Sequence, residues 1–339
     1  MLLSVVIPVF NEEQILPVLV PRLDEVLARL ECESEVILVD DGSRDNTLAL
    51  ARVVASRDPK YKVLSFSRNF GHQAAITAGL DFAAGDAAVI MDADLQDPPE
   101  VLVRMVELYR DGYDVVSAQR ATRRHDGTWK RATASAFYWI MRKAVDERIQ
   151  PEVGDFRLLS RAAIIAMRGF REQHRFMRGL IAWLGLKEAV VPFDRAPRVA
   201  GTTKYPTWKM MAFAWTAISS FSALPLRLGI LGGIGMVILG GLYFCYAAYK
   251  ALVMHATVEG WTSIVALQVF FSGAILLSIG LMGEYLARIY DESKRRPLYV
   301  LKELVNMPLA DRDVPRALVL EPRDVRPGPP TVQPPAPRA

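Results

Sequence analysis

Asp92, Asp94 and Gln96 stand at alternate positions in MDADLQDPPE (residues 91–100), directly after the apolar run AAVIM. On an extended chain these three oxygen-bearing side chains share one face. Hard oxygen ligands in that pattern suit Mg²⁺ or Mn²⁺ shared with a substrate diphosphate. An acidic loop capping the helix that opens at Pro98 would account for Asp97, but not for Asp92 and Asp94. Other polar clusters follow apolar runs in the same way. Asn11-Glu12 follows LSVVIPV, Asp40-Asp41 follows EVILV, and Arg68-Asn69 follows YKVLSF. The first run is not followed by Gly-x-Gly-x-x-Gly, and the chain has no Walker lysine loop, so dinucleotide and P-loop chemistry lose their main signal.

Strands must position these clusters. Residues 3–9, 35–39, 61–66, 87–91 and 113–118 read as strands, separated by helical stretches over 12–30, 45–56, 73–83 and 100–109. Alternation at this spacing predicts an α/β fold, with a mainly parallel sheet covered by helices on both faces. Ligands of such sheets bind at the carboxyl ends of the strands, which is where every cluster named above falls.

The chain has 339 residues, 51% of them hydrophobic and 23% charged, which excludes wholesale disorder, collagen and coiled coil. A net charge of +4 gives no overall basic excess on the scale of nucleic-acid binding. Cys32 and Cys245 fit neither a disulfide framework nor a metal-ligand spacing and read as small buried hydrophobes.

Much of the apolar content lies in two uncharged stretches, residues 228–249 and 260–283. Each is longer than the ~20 residues a helix needs to cross a bilayer, so two membrane spans are expected. Arg227 precedes the first, and Arg288, Lys294, Arg295 and Arg296 follow the second, while the loop between holds Lys250 and His255 against Glu259. The positive-inside rule then places both outer ends in the cytoplasm. MLLSVVIPVF lacks a basic leader and is interrupted by Pro8, so it is not read as a signal peptide. Residues 206–225, with Trp208 and Trp215, suit helices lying in the membrane interface. Gly229 and Gly233 form a weak small-xxx-small pair, and residues 321–339 read as a Pro- and Arg-rich disordered tail.

Taken in order, SVVIPVFNEE, VDDGSRDNT, SRNFGHQAAITAGLDFAAGD and MDADLQDPPE resemble a family 2 glycosyltransferase of GT-A fold. GDFRLLSR (154–161) and AGTTKY (200–205), followed by apolar segments, are similar to one branch, the polyprenyl-phosphate glycosyltransferases. That branch includes dolichol-phosphate mannose synthase and the bacterial undecaprenyl-phosphate glucosyltransferases, and the resemblance runs over residues 1 to about 290. It implies a nucleotide-sugar donor held by Pro8, Phe10, Glu12 and Asp41, where Phe10 stacks and Asp41 accepts from a base N–H. It implies a metal and diphosphate triad of Asp92, Asp94 and Gln96. Asp155 matches the carboxylate at the acceptor, as base or orienter, and Arg120, Arg131, Thr203 and Lys204 match groups around the lipid phosphate.

Phe10 stands where a Tyr is frequent, and Thr202-Thr203 where a Ser is frequent before the Lys. The expected organisation is a cytosolic catalytic domain (1–205), interface helices (206–227), a two-helix transmembrane hairpin (228–288) and a cytosolic C-terminal segment (289–339) in the plasma membrane. The expected reaction is inverting, metal-dependent transfer of glucose from UDP-glucose to undecaprenyl phosphate. A UDP-aminoarabinose derivative or GDP-mannose are alternative donors. A transporter lacks a polar path through the spans, a processive synthase lacks its Q-x-x-R-W segment, and a silent nucleotide-binding scaffold leaves the intact carboxylates without a use. The sequence leaves a homo-oligomer open.

Overall fold

A computed structural model of the chain describes residues 1–120, 153–194, 224–253 and 260–307. Arg131, Thr203, Lys204, the proposed interface segment and the Pro-rich tail lie outside the described residues. Seven strands from the first two thirds of the chain and one from near its end build an eight-stranded sheet in the order β7-β5-β6-β4-β1-β2-β3-β8. Its strands are β1 (Leu2–Val9), β2 (Glu33–Asp40), β3 (Tyr61–Phe66), β4 (Ala87–Ile90), β5 (Val115–Arg120), β6 (Val153–Ser160), β7 (Glu188–Phe193) and β8 (Leu301–Val305). β1, β2, β3 and β4 run parallel, as do β5 and β7, whereas β6 is antiparallel to both β4 and β5, and β8 is antiparallel to β3.

The strand pattern follows from burial on both faces. Along β1, Leu3, Val5, Ile7 and Val9 enter one core while Val6 enters the other, the period-2 split of a pleated chain. The first face is covered by α1 (Leu16–Leu27), α2 (Thr47–Arg57) and α4 (Val101–Arg110). The second is covered by α3 (His72–Phe82), α5 (Arg161–Gly169) and α6 (Met177–Leu184). α1 starts four residues later than its amphipathic pattern, because Pro17 fills the first turn, where a missing N–H costs nothing.

Two helices stand apart from this core: α7 (Leu224–Leu252) and α8 (Trp261–Ser293). Their windows Gly229–Tyr246 and Phe270–Ser293 are long and apolar enough to cross a membrane, and none of either window is buried. Phe244 and Leu277 are 72% and 78% exposed, which a water-soluble surface would not carry in such a run. Cys245 lies exposed on α7, not buried as its residue type suggested, and Cys32 is half-buried. A Cβ at Gly229 would lie 4.0 Å from Leu281, so the start of α7 meets the later part of α8 as in an antiparallel hairpin. Gly233 makes no comparable approach.

The chain leaving α8 returns to the sheet. Gln173 donates its backbone N–H to Glu292 at 2.6 Å and its side-chain amide to the Arg296 carbonyl at 2.5 Å, and His174 lies 3.5 Å from Asp291. Tyr299 is buried, stacked 5.3 Å from Phe66, and donates its hydroxyl to Asp81 at 2.7 Å. Arg171 holds both oxygens of the same carboxylate, at 2.8 and 3.0 Å. β8 then pairs with β3, Glu303 pairs with Arg52, and Asn306 donates to the carbonyls of Ala55 and Tyr61. Residues 294–307 therefore pack onto the sheet and are part of the catalytic fold.

Candidate active site

The carboxyl ends of β1 and β2 are tied loop to loop. Asn11 adopts a left-handed φ of 55°, donates its N–H to the Ser43 hydroxyl at 3.0 Å, and accepts from the Arg44 N–H at 2.9 Å. The Glu12 N–H donates to Thr47 at 2.7 Å, and Glu13 accepts from the Asn46 N–H at 3.0 Å. These bonds bring Pro8, Phe10, Glu12 and Asp41 into one cluster: Pro8 pairs in register with Val39, and the Asp41 N–H donates to the Val9 carbonyl. Phe10 and Glu12 are half-buried, and Pro8 is buried.

Asp41 is also buried, and its carboxylate accepts from the Phe70 N–H at 2.6 Å and from the Gly71 N–H at 3.0 Å. Burial lifts its carboxyl above the usual range despite those two amides. The carboxylate thus braces the loop, and its remaining lone pairs leave room to accept from a base N–H. Gly42 permits the close approach. A Cβ at this position, already at a φ of 69°, would lie 2.5 Å from the Arg68 carbonyl carbon.

Asp92, Asp94 and Gln96 also gather at one strand end, but not on an extended face. β4 stops at Ile90, and Leu95 takes a left-handed φ of 55°. Asp94 accepts from the Gln96 N–H at 3.1 Å, closing a tight turn that an acidic side chain and its backbone form readily. The turn leaves Asp92 and Asp94 partly exposed and buries Gln96, whose Oε1 has no hydrogen-bond partner. A buried amide oxygen left unmatched costs about 1–3 kcal/mol, which a ligand arriving there would recover. Partial burial first, and then the negative Asp155 and Asp94, raise the Asp92 carboxyl against the opposing pull of His72 and Arg178. Among the described residues no three His, Cys, Asp or Glu side chains surround a common point. Gln96→Leu is accordingly expected to stabilise the fold slightly, by up to ~1 kcal/mol, while lowering turnover with the donor. Thermal unfolding and initial rates on the same preparation check both halves.

Asp155 follows from register. β6 pairs with β4 so that Ile90 lies opposite Arg157, which brings the start of β6, with Asp155, to the end of β4 that precedes Asp92. Arg178, in the first turn of α6, donates Nε–H to Asp155 Oδ1 at 3.0 Å. His72, the first residue of α3, places Nε2 3.4 Å from Asp92 Oδ1 and 3.7 Å from Asp155 Oδ2. Burial disfavours the Asp155 anion, but Arg178 first and His72 next overcome it and hold the carboxyl well below the usual range. The same two carboxylates raise His72, against the pull of its own burial. Arg120 ends β5 beside this group: its Nη2 lies 3.8 Å from a Cβ built on Gly154, and its buried Nε has no partner.

Of the residues singled out by sequence, the structure assembles Asp92, Asp94, Gln96, Asp155 and Arg120 at one end of the sheet, next to the Pro8, Phe10, Glu12 and Asp41 cluster. His72 and Arg178 were not singled out. His72 follows the carboxyl end of β3 and could have been found by the rule that located the other clusters. Arg178 carries no local signal, because α6 reaches Asp155 only through the tertiary fold.

A chain of this topology finds its relatives readily. The model for Glycosyl transferase family 2 matches residues 4–167. An uncharacterized glycosyltransferase of Bacillus subtilis (strain 168), YkcC, is 43% identical over 300 residues, covering 88% of this chain and 93% of its own. The chain belongs to glycosyltransferase family 2. The segment matched by the family model runs from β1 into α5 and takes in Asp92, Asp94, Gln96 and Asp155, so the mixed, mainly parallel sheet is the GT-A fold of a glycosyltransferase. Two further relatives extend the likeness beyond that segment. The bactoprenol glucosyl transferase of Shigella phage SfV is 40% identical over 302 residues, covering 89% of this glycosyltransferase and 98% of itself. A prophage bactoprenol glucosyl transferase homolog of Escherichia coli (strain K12) is 38% identical over 304 residues, covering 90% and 99%.

Proposed function

We propose that this glycosyltransferase moves glucose from UDP-glucose to the phosphate of undecaprenyl phosphate at the cytoplasmic face of the plasma membrane. One observation carries the reading. Asp92, Asp94 and the unmatched Gln96 oxygen form a diphosphate-side group beside Asp155 and Arg120, in a chain with two membrane-length helices. Relatives named bactoprenol glucosyl transferase, matched over nearly their whole length, support the choice of sugar and lipid.

The chemistry is displacement at the anomeric carbon with inversion: a phosphate oxygen of the lipid forms the new C–O bond as the bond to UDP breaks. Asp92 and Asp94, with Gln96 beside them, would hold Mg²⁺ or Mn²⁺, which would supply charge neutralisation for the departing diphosphate. A phosphate monoester has its second pKa near ~6, so the nucleophile is mostly dianionic at neutral pH and asks little of a protein base. Arg120, with Arg131, Thr203 and Lys204 from segments outside the described residues, is assigned to the lipid phosphate. Phe10 and Glu12 are assigned to the base and ribose, on the loop that Asp41 holds.

The return of the chain after α8 supports the membrane arrangement. β8 lies in the same sheet as β1 to β7, so the chain must leave and re-enter on one side of the membrane. Two spans satisfy that, and Arg288, Lys294, Arg295 and Arg296 at the re-entry support assigning that side to the cytoplasm.

The test is label transfer by purified protein, with undecaprenyl phosphate, metal and a panel of UDP- and GDP-sugars. Label is expected in the lipid from UDP-glucose. Faster transfer from GDP-mannose or an aminoarabinose donor would reassign the sugar, and nucleotide binding without transfer from any donor would favour a silent scaffold.

A further inference from the structure

Asp155 sits between two elements that sequence alone does not connect. One of its oxygens is taken by Arg178 Nε–H at 3.0 Å, and the other faces His72 at 3.7 Å. The carboxylate side chain is only 13% exposed, so its rotamer is set by these neighbours and not by water. Arg178 is itself placed by the start of α6. The Met177 N–H donates to Gln73 Oε1 at 3.0 Å, which pins the first turn of α6 to the first turn of α3, where His72 stands. The first turns of α3 and α6 and the first residues of β6 are thus locked together around one carboxylate, with His72 between it and Asp92.

We infer that Arg178 is a positioning residue for the transfer: through its Nε–H it fixes the Asp155 carboxylate at the acceptor side, so that Asp155 anchors Arg178 and His72 beside the incoming phosphate and does not serve as its base. The inference rests on the function proposed above and refines it. Three features support it. An arginine-bound carboxylate is a poor proton acceptor. The proposed nucleophile arrives largely deprotonated. In-line displacement also tolerates little misplacement of the groups around it, and an error near 1 Å can cost ~10²-fold.

The test compares Arg178→Lys, Arg178→Ala, Asp155→Asn and the Arg178→Ala/Asp155→Asn double variant of the full-length protein, with kcat, donor KM and UDP binding measured for each. Arg178→Ala is expected to lower kcat about 30- to 100-fold with donor KM and UDP affinity within about twofold, and Arg178→Lys to recover part of the loss. Asp155→Asn keeps an oxygen for the Arg178 bond and is expected to lose about 10-fold or less, where loss of a true general base would cost ~10²–10⁴-fold. The double variant is expected to be no slower than the slower single, because both residues act through one contact. Arg178→Ala within threefold of wild type, a loss above 100-fold in Asp155→Asn, or losses that multiply in the double variant would each overturn the inference. If Arg178→Ala fails to bind UDP, Arg178→Lys decides alone, and a loss there confined to donor KM would overturn it. A wild-type protein that binds UDP but transfers to no polyprenyl phosphate would remove the function proposed above, and this inference with it.

Discussion

Asp94→Asn is expected to reduce kcat for transfer by about 10³-fold or more, even at saturating Mg²⁺ or Mn²⁺. The substitution keeps the size of the side chain and leaves an oxygen able to accept from the Gln96 N–H, the bond that closes the turn after β4. Fold and turn should therefore survive, and thermal unfolding should shift by less than ~1 kcal/mol. What is lost is a negative charge at the place where the diphosphate leaves. The barrier then carries the developing charge of the leaving group without a firmly held cation beside it. Raising the metal concentration would not restore turnover, because occupancy alone does not return the ion to its position. Initial rates across a metal titration check this, and rates within tenfold of wild type at saturation would remove the metal assignment of Asp92, Asp94 and Gln96.

Tyr299→Ala is expected to destabilise the catalytic fold strongly, by about 3–5 kcal/mol. Tyr299 is fully buried, stacks on Phe66, and donates to the buried Asp81 that Arg171 also holds. Alanine would open a ring-sized cavity and strip one donor from a buried carboxylate. Against a total stability of about 5–15 kcal/mol, a loss of this size lowers the amount of folded protein visibly. The damage would reach the site as well. Phe66 and Phe70 meet edge-on, the Ser67 N–H donates to the Val300 carbonyl, and Phe70 and Gly71 are the amides that Asp41 holds. Tyr299→Phe keeps the stack and loses only the hydroxyl bond, so it should cost about 1–2 kcal/mol. Thermal unfolding of both variants checks the pair; equal, small shifts would mean the post-membrane segment is not part of the fold's core.

Much of the catalytic half was legible because its strands are buried on two faces and its clusters sit where such strands end. β1 to β4 read directly as apolar runs, with boundaries off by a residue or two. β6 did not, since VGDFRLLS places Asp155 and Arg157 among its apolar residues, and only the sheet explains why Arg157 is buried there. β8 was illegible for a different reason. LKELV is short and carries two charges, as an edge strand does, and its partner β3 lies more than 200 residues away in sequence. The residues proposed for the metal stand out by type and spacing, but their geometry does not. A left-handed Leu95 turns the extended face expected of Asp92, Asp94 and Gln96 into a loop with Gln96 buried. His72 and Arg178 join the site only because α3 and α6 begin side by side, a fact of packing that no local pattern carries.

Mass spectrometry of the lipid recovered after incubating the purified protein with UDP-glucose, undecaprenyl phosphate and Mn²⁺ addresses the proposed reaction most directly. Undecaprenyl phosphate carrying a single hexose is the predicted product, formed by wild type and not by Asp94→Asn. Lipid recovered unchanged, while the protein binds UDP and stays folded, would contradict glycosyl transfer to a polyprenyl phosphate.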